Sequence, residues 1–327
     1  MKAMVYTKYG TPDVLKLEEV EKPTPKDNEV LVKIYAASVN SWDWDLLRGT
    51  PFIVRIGGLF KPKYQILGAD IAGRVEAVGR NVKQFLPGDE VFGDISGCGW
   101  GGFAEYVCAC EEALTLKPAS MTHEQAASIP QAAVLALQGL RHKGQIQPKQ
   151  KVLINGAGGG VGTFAVQMAK SCGAEVTGVD STKKLEMLKS LGADHVIDYT
   201  KDDYTQNRQR YDLILDVAGN RSIFDNKRAL NRSGTYVMVG GSLARIFQVM
   251  LLGPWISRTG NKKMGILVHR PNNNDQQYMM ELFEAGKVAP VLDRRYPLSQ
   301  VDDAVRYFAD GQHKGKIIVY VEHTNDA

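Results

Sequence analysis

Cysteine is scarce in this chain of 327 residues: Cys98, Cys108, Cys110 and Cys172 form no paired framework of the kind that staples small secreted domains. They read as reduced thiols and point to a cytoplasmic protein. No run of about 18 apolar residues occurs, so a membrane-spanning helix is not expected and a membrane is not an expected partner. The N-terminus MKAMVYTKYG reads as a polar-flanked strand, not as a signal peptide. Charge of one sign is also in short supply. Lys and Arg exceed Asp and Glu by 40 to 36, a net charge of +4, and basic residues are not interleaved with aromatics, which argues against nucleic acid as the main partner. The histidines, among them His123, His142 and His195, lie apart from any Ser or Cys partner, so no hydrolase constellation is present. Repeats and low-complexity tracts are lacking too. What is left is the composition of a soluble globular protein, long enough for two domains.

Glycine is plentiful, and its placement is informative. Residues 155–162 read NGAGGGVG, five glycines in eight residues. Such a cluster costs stability unless the backbone must be approached closely. It follows the apolar run KVLI and precedes Val161, Phe164, Ala165, Met168, Ala169 and Cys172, which recur at helical spacing and predict one buried face. Gly173 stands where a helix C-terminus is capped, and the strand EVTGVD follows. Strand, glycine turn, helix and strand together favour dinucleotide binding over a turn that binds nothing. Ala157, Gly158, Gly159, Gly160, Val161 and Gly162 then cradle a pyrophosphate at the helix N-terminus.

Along the chain, KAMVYT, VLVKIYAASVN, DIAGRVEAVG, DEVFGD and GGFAEYVCA read as short strands punctuated by Gly and Pro, a compact β-barrel-like domain. Strands and helices then alternate, with candidate strands at 151–155, 175–180, 195–199, 211–217, 235–240 and 265–269. That order fits a doubly wound sheet. QQYMMELFEAGKV and SQVDDAVRYFADG read as helices. GKIIVYVE is a closing strand for which the first domain offers a sheet, so the first domain is expected to be discontinuous.

The segment GADIAGRVEAVGRNVKQFLPGDEVFG (68–93), with glycines at 68, 73 and 79, together with GGFAEYV and LGADHVIDY, resembles the medium-chain dehydrogenase/reductase superfamily. Within it, the chain is most similar to the zinc-free quinone oxidoreductase branch. The resemblance implies an α/β chain: a GroES-like, β-rich catalytic domain over 1–122 and 271–327, and a Rossmann domain over 123–270. Zinc members carry Cys where this chain has Asn40, and Gly-His-Glu where it has Gly68, Ala69 and Asp70, while the four-cysteine structural lobe is missing. A zinc site needs such ligands, so no metal is expected.

The resemblance further implies an NADPH-dependent reductase of quinones or α,β-unsaturated carbonyls, with NADH tolerated, working as a homodimer joined through the strand in KMGILVHRP. The alternatives are an NAD(P)-dependent alcohol dehydrogenase and a cofactor-binding structural or RNA-associated protein. Asn40 is the expected contact to the nicotinamide ribose end, or else the cap of the turn before DWDLLRG. Asp43 reads as a structural or capping group. Trp42 and Trp44 form a flat wall for the acceptor or belong to the core. Asp45 stands where many relatives have a Tyr, which leaves Tyr64 or solvent as proton donor, and Leu135 stands where relatives often have Thr. Asp180, 18 residues past Gly162, suits the ribose hydroxyls of NAD or a helix cap. In NADPH-using relatives a Lys and a Tyr at the spacing of Lys184 and Tyr199 hold the 2′-phosphate, with Ser181 alongside. In this chain the same pair also reads as a solvated lysine and a packed tyrosine. Ala218, Gly240, Gly241 and Leu267 complete the expected cofactor-binding set.

Overall fold

The computed structural model describes residues 1–56 and 58–323. Two compact units emerge: residues 1–131, 271–281 and the segment from Leu292 onward form one, and residues 132–270 with 282–291 form the other. The first break in the sequence was expected at 122/123; the division between units lies at 131/132.

The first unit opens with the ribbon β1 (Lys2–Val5) and β2 (Lys16–Glu19), the second of which has no apolar alternation to announce it. Its spine is β3 (Glu29–Ser38), ten residues with the near-continuous apolar pattern of a strand covered on both faces. Helix α1 (Ser41–Arg48) leaves the end of β3 and closes at Gly49, which adopts φ +62°. Antiparallel strands β4 (Asp70–Val78), β5 (Glu90–Asp94), β6 (Tyr106–Cys110) and β7 (Leu114–Leu116) follow, and then α2 (His123–Ala127), which starts with a Thr122–Gln125 capping box. β3 pairs with both β4 and β6.

The second unit begins with α3 (Ala132–Leu137), which carries Leu135 and continues into a wider helical turn through Lys143. The strands β8 (Lys151–Asn155), β9 (Glu175–Asp180), β10 (His195–Asp198), β11 (Tyr211–Asp216), β12 (Leu230–Met238) and β13 (Lys263–Ile266) pair in parallel in the order β10-β9-β8-β11-β12-β13. Helices α4 (Gly160–Ser171), α5 (Leu185–Ser190), α6 (Ile223–Ala229) and α7 (Leu243–Thr259) connect them. Strand ends differ from the expected ones by a few residues, so Gly240, Gly241 and Leu267 stand just beyond β12 and β13. The buried face of α4 holds Phe164, Ala165, Met168 and Ala169; Cys172 is exposed, because it has become the C-cap ahead of Gly173 at φ +76°. None of the helices is long and apolar enough to cross a membrane among the described residues.

The chain then returns through α8 (Asn273–Glu284), β14 (Leu292–Pro297), α9 (Val301–Ala309) and β15 (Lys316–Tyr320). β15 pairs antiparallel with the end of β3, Ile318 opposite Ser38, so the last strand completes the sheet of the first unit.

Close backbone approach limits one position in that sheet. The register of β3 against β4 slips between Ile34 and Ala36, and a Cβ on Gly73 would lie 2.0 Å from the Lys33 carbonyl oxygen. The Gly73→Ala chain should lose at least ~2 kcal/mol in urea unfolding, whereas Gly97→Ala, where a Cβ meets nothing, should change stability by less than ~0.5 kcal/mol.

Candidate active site

In the second unit the sheet reverses its winding between β8 and β11, and the carboxyl ends of these strands carry the glycine turn and two short loops. That is the edge at which open α/β sheets bind ligands. Gly156 turns the chain at φ +81°. A Cβ on Gly162 would sit 2.2 Å from the Gly156 carbonyl oxygen, so α4 rides directly on the turn. The N-cap of α4 is Gly159, extended and without a side-chain cap. The first-turn N–H groups therefore lack an intrahelical acceptor and face outward with the positive end of the helix dipole. Ala157, Gly158, Gly159, Gly160, Val161 and Gly162 form a cradle that fits a pyrophosphate.

At the end of β9, Asp180 is buried and pinned. One carboxylate oxygen accepts the Gly158 N–H at 2.7 Å and the other accepts the Ser181 N–H at 2.8 Å. Its cation is Lys184, Nζ at 3.6 Å, with both side chains almost wholly covered. The two backbone N–H groups fix the carboxylate beside Lys184. Lys184 is accordingly not a solvated lysine. Tyr199 is exposed, and its N–H donates to the Asp180 carbonyl at 3.2 Å, so Asp180, Ser181, Lys184 and Tyr199 cluster at one strand end.

The loops after β11 and β12 are held by Asp216. This fully buried carboxylate accepts hydrogen bonds from Asn155 Nδ2, the Gly219 N–H and the Tyr236 hydroxyl, each at 2.8 Å. Burial still pushes its pKa up, against the pull of these donors. Gly219 has φ +54°, and a Cβ there would lie 2.1 Å from the Gly240 carbonyl oxygen and 2.6 Å from the Gly241 Cα. Ala218, Gly240 and Gly241 are thereby brought onto adjoining loops, and the Leu267 N–H donates to the Met238 carbonyl at 2.7 Å. Sequence reading gave no role to Asp216 or Tyr236; the available signal was an acid closing the apolar run YDLILD.

In the first unit Asn40 is the N-cap residue of α1, but its side chain serves another purpose. Its Nδ2 donates to Asp70 at 2.9 Å and its Oδ1 accepts from Lys316 Nζ at 2.5 Å. The amide orientation is fixed by having a carboxylate on one side and an ammonium on the other. Asp43 supplies the cap, accepting the Asn40 N–H at 2.8 Å while its other oxygen accepts the Gly68 N–H at 2.9 Å. Burial pushes the Asp43 carboxyl up to about 7, and the Asp70 carboxyl up to about 6 against the pull of Lys316. Burial lowers the pKa of Lys316 itself, whose Nζ is 3.6 Å from Asp70. Lys316 was not foreseen; only a lysine heading the apolar strand KIIVY hinted at it. Trp42 is half exposed on α1, Trp44 lies under the Arg48 guanidinium at 4.4 Å, and Tyr64 packs at a tilt on Trp100. No group of three or more His, Cys, Asp or Glu is placed to hold a metal among the described residues.

Lys316→Met should cost about 3–5 kcal/mol at pH 8, since it strands a buried carboxylate. Asp70 has its folded pKa raised, so it stabilises the fold below pH ~4, where both folded and unfolded forms are protonated, and that contribution fades as pH rises through about 6. Removing the ammonium raises this pKa further, so the deficit of the variant should shrink at pH 5, where Asp70 takes up a proton. Urea unfolding at both pH values checks this; an equal loss at each would contradict it.

Comparison with known proteins fits this geometry. Residues 26–119 match the alcohol dehydrogenase GroES-like domain, residues 136–219 the alanine dehydrogenase/PNT C-terminal domain, and residues 191–319 the family described as zinc-binding dehydrogenase. The chloroplast envelope quinone oxidoreductase homolog of Arabidopsis thaliana is 33% identical over 98% of both chains. The NADPH-dependent alkenal/one oxidoreductase of the same plant is 33% identical over 98% of this chain and 79% of its own. Among solved structures, the quinone oxidoreductase of Coxiella burnetii superimposes with a TM-score of 0.88 at 28% identity, covering 98% of this chain and 99% of that one. The chain belongs to the medium-chain dehydrogenase/reductase superfamily, in its quinone oxidoreductase branch.

Proposed function

We propose that this protein is an NADPH-dependent reductase of quinones or α,β-unsaturated carbonyls that works without a metal. The observation that carries this reading is the fate of the position where zinc relatives have a cysteine ligand. Asn40 stands there, and its amide is spent on Asp70 and on the ammonium of Lys316. Ala69 stands where those relatives have the ligand imidazole. This donor set does not suit zinc. Without a Lewis acid, nothing lowers an alcohol's pKa or polarises an aldehyde. Acceptors that already delocalise negative charge onto oxygen need no such help.

When bound, the reduced nicotinamide supplies the hydride. The chain's own residues bind and orient. The uncapped turn of α4 takes the pyrophosphate and Asp216 fixes the loops bearing Ala218 and Gly240, while likeness to the family assigns Asn40 to the nicotinamide ribose end. Trp42 and Trp44 supply flat surface for a planar acceptor. The acceptor gains a hydride and one proton, and the proton comes from the Tyr64 hydroxyl or from solvent. Turnover is tested by following reduced-nicotinamide absorbance with a quinone, an enone and an alcohol panel, with and without a strong chelator. Quinone or enone reduction that survives chelation is expected. Turnover of alcohols alone, or loss of activity with the metal, would overturn the reading. We place the protein in the cytoplasm, where its unpaired thiols stay reduced.

NADPH is favoured over NADH because Lys184 offers a 2′-phosphate a charge-assisted bond that NADH has no group to accept. Asp180 opposes it, but that carboxylate is already engaged by two N–H groups and by Lys184. Lys184→Ala should raise KM for NADPH about tenfold, consistent with ~1–2 kcal/mol, and leave NADH nearly unchanged. An equal effect on both cofactors would mean that Asp180 decides.

A homodimer is proposed through β13. Among the described residues this strand pairs only with β12 and forms the edge of its sheet, which a symmetry mate can extend; at Met264 the Ser257 hydroxyl already bonds the outward N–H and carbonyl. Sedimentation at micromolar concentration should give a dimer; a monomer there would refute the pairing.

A further inference from the structure

Helix α7 is apolar on both sides. Its inward side, Val249, Gly253 and Ile256, is buried, and Gly253 rides so close to β13 that a Cβ would lie 2.7 Å from the Met264 carbonyl oxygen. Its outward side carries Leu243, Phe247, Met250, Leu251 and Trp255 at helical spacing, all exposed, Leu251 by 74% and Trp255 by 60%. A surface helix ordinarily turns polar residues outward. Here the only charges within the helix are Arg245 and Arg258, Lys262 and Lys263 follow it, and no Asp or Glu occurs from 243 to 272.

Beside the C-terminal end of α7 lies a hollow of about 460 Å³, lined by Lys227, Arg232, Ile256, Gly260, Asn261 and Lys262 and by no carboxylate. Lys262 is anchored at its wall, with Nζ donating to the Lys227 and Leu230 carbonyls at 2.6 and 2.9 Å. Burial, then the charges of Lys227 and Arg210, lower its pKa. The like charges gathered there are relieved by an anion.

We propose that α7 is a membrane-surface seat: its outer face lies in the interface of an anionic phospholipid bilayer, and the cationic hollow at its end takes a lipid phosphate. An apolar face with Trp and Phe, bordered by Arg and Lys, is what a helix lying in the plane of a bilayer needs, and the surface potential of anionic lipid complements its charge. A second copy on this face is the competing occupant, and particle size tells the two apart. The lack of a long apolar run excludes a spanning helix but says nothing of a helix that lies on a surface. This inference stands independently of the reduction chemistry.

The test mixes the full chain with vesicles of phosphatidylcholine alone or with about one third phosphatidylglycerol. Flotation with the anionic vesicles only, and a blue shift of tryptophan emission that Trp255→Phe abolishes, are expected. Leu251→Glu with Trp255→Glu should lower the bound fraction at least about tenfold. Arg232→Glu, an exposed change that leaves the helix intact, should weaken binding to anionic vesicles in low salt. The proposal is overturned if the wild-type chain stays in solution, if the charged variants float as well as it does, or if the double variant instead turns a larger particle into a smaller one, which would place a second copy on this face.

Discussion

The buried contact between Lys316 and Asp70 organises the first unit. Asp70 begins β4, Lys316 begins β15, Asn40 follows β3, and the ammonium and carboxylate reach all three. Asp70 also accepts from the Ser38 hydroxyl and the Gln131 N–H, each at 3.3 Å. One ion pair thus ties together strands brought from the two ends of the chain. Coulomb attraction alone does not make such a pair favourable, since desolvation of both ions opposes it. What it provides is position. Replacing Asn40 by an apolar residue of like size would leave both ions short of a partner, so this amide is fixed by electrostatics before any ligand arrives.

The same geometry explains how two neighbouring carboxylates fare differently. Asp43 spends both oxygens on backbone N–H groups and joins the start of α1 to Gly68. Asp70 concentrates its bonds on one oxygen, while its Oδ1 has no hydrogen-bond partner among the described residues. A buried acceptor without a donor favours the protonated form, which agrees with the upward pKa shift at Asp70 despite the lysine.

Much of the fold could be read in the sequence because period and punctuation agree. KVLI, five glycines and an apolar helical face leave few alternatives, and parallel strands buried on both faces read as continuous apolar runs. β2 and β7 could not be read so easily, since KLEE and LTL are short and lack alternation. The site was legible only where chemistry follows local spacing. Gly158, Asp180 and Lys184 lie within one strand–turn–helix unit. Lys316 and Asp70 are 246 positions apart and Asp216 meets Tyr236 across the sheet, so these partners depend on strand order. Asn40 shows the limit from another direction. It is the N-cap of α1, as its local sequence allows, while the partners of its amide lie on other strands.

The two units hold their buried carboxylates with different sets of partners. In the first, an ammonium neutralises the carboxylates from within, and the network is nearly closed. In the second, amide, hydroxyl and backbone donors hold Asp216, with no ion pair to it among the described residues, while Asp180 takes the Gly158 N–H of the glycine turn. Binding an anion at that turn would therefore act on Asp180 and Lys184 together: added negative charge strengthens the hold on Lys184 and opposes Asp180. If the proposed cofactor binds at this turn, recognition of its 2′ group and of its pyrophosphate becomes one electrostatic problem, because Asp180 holds both Lys184 and the Gly158 N–H.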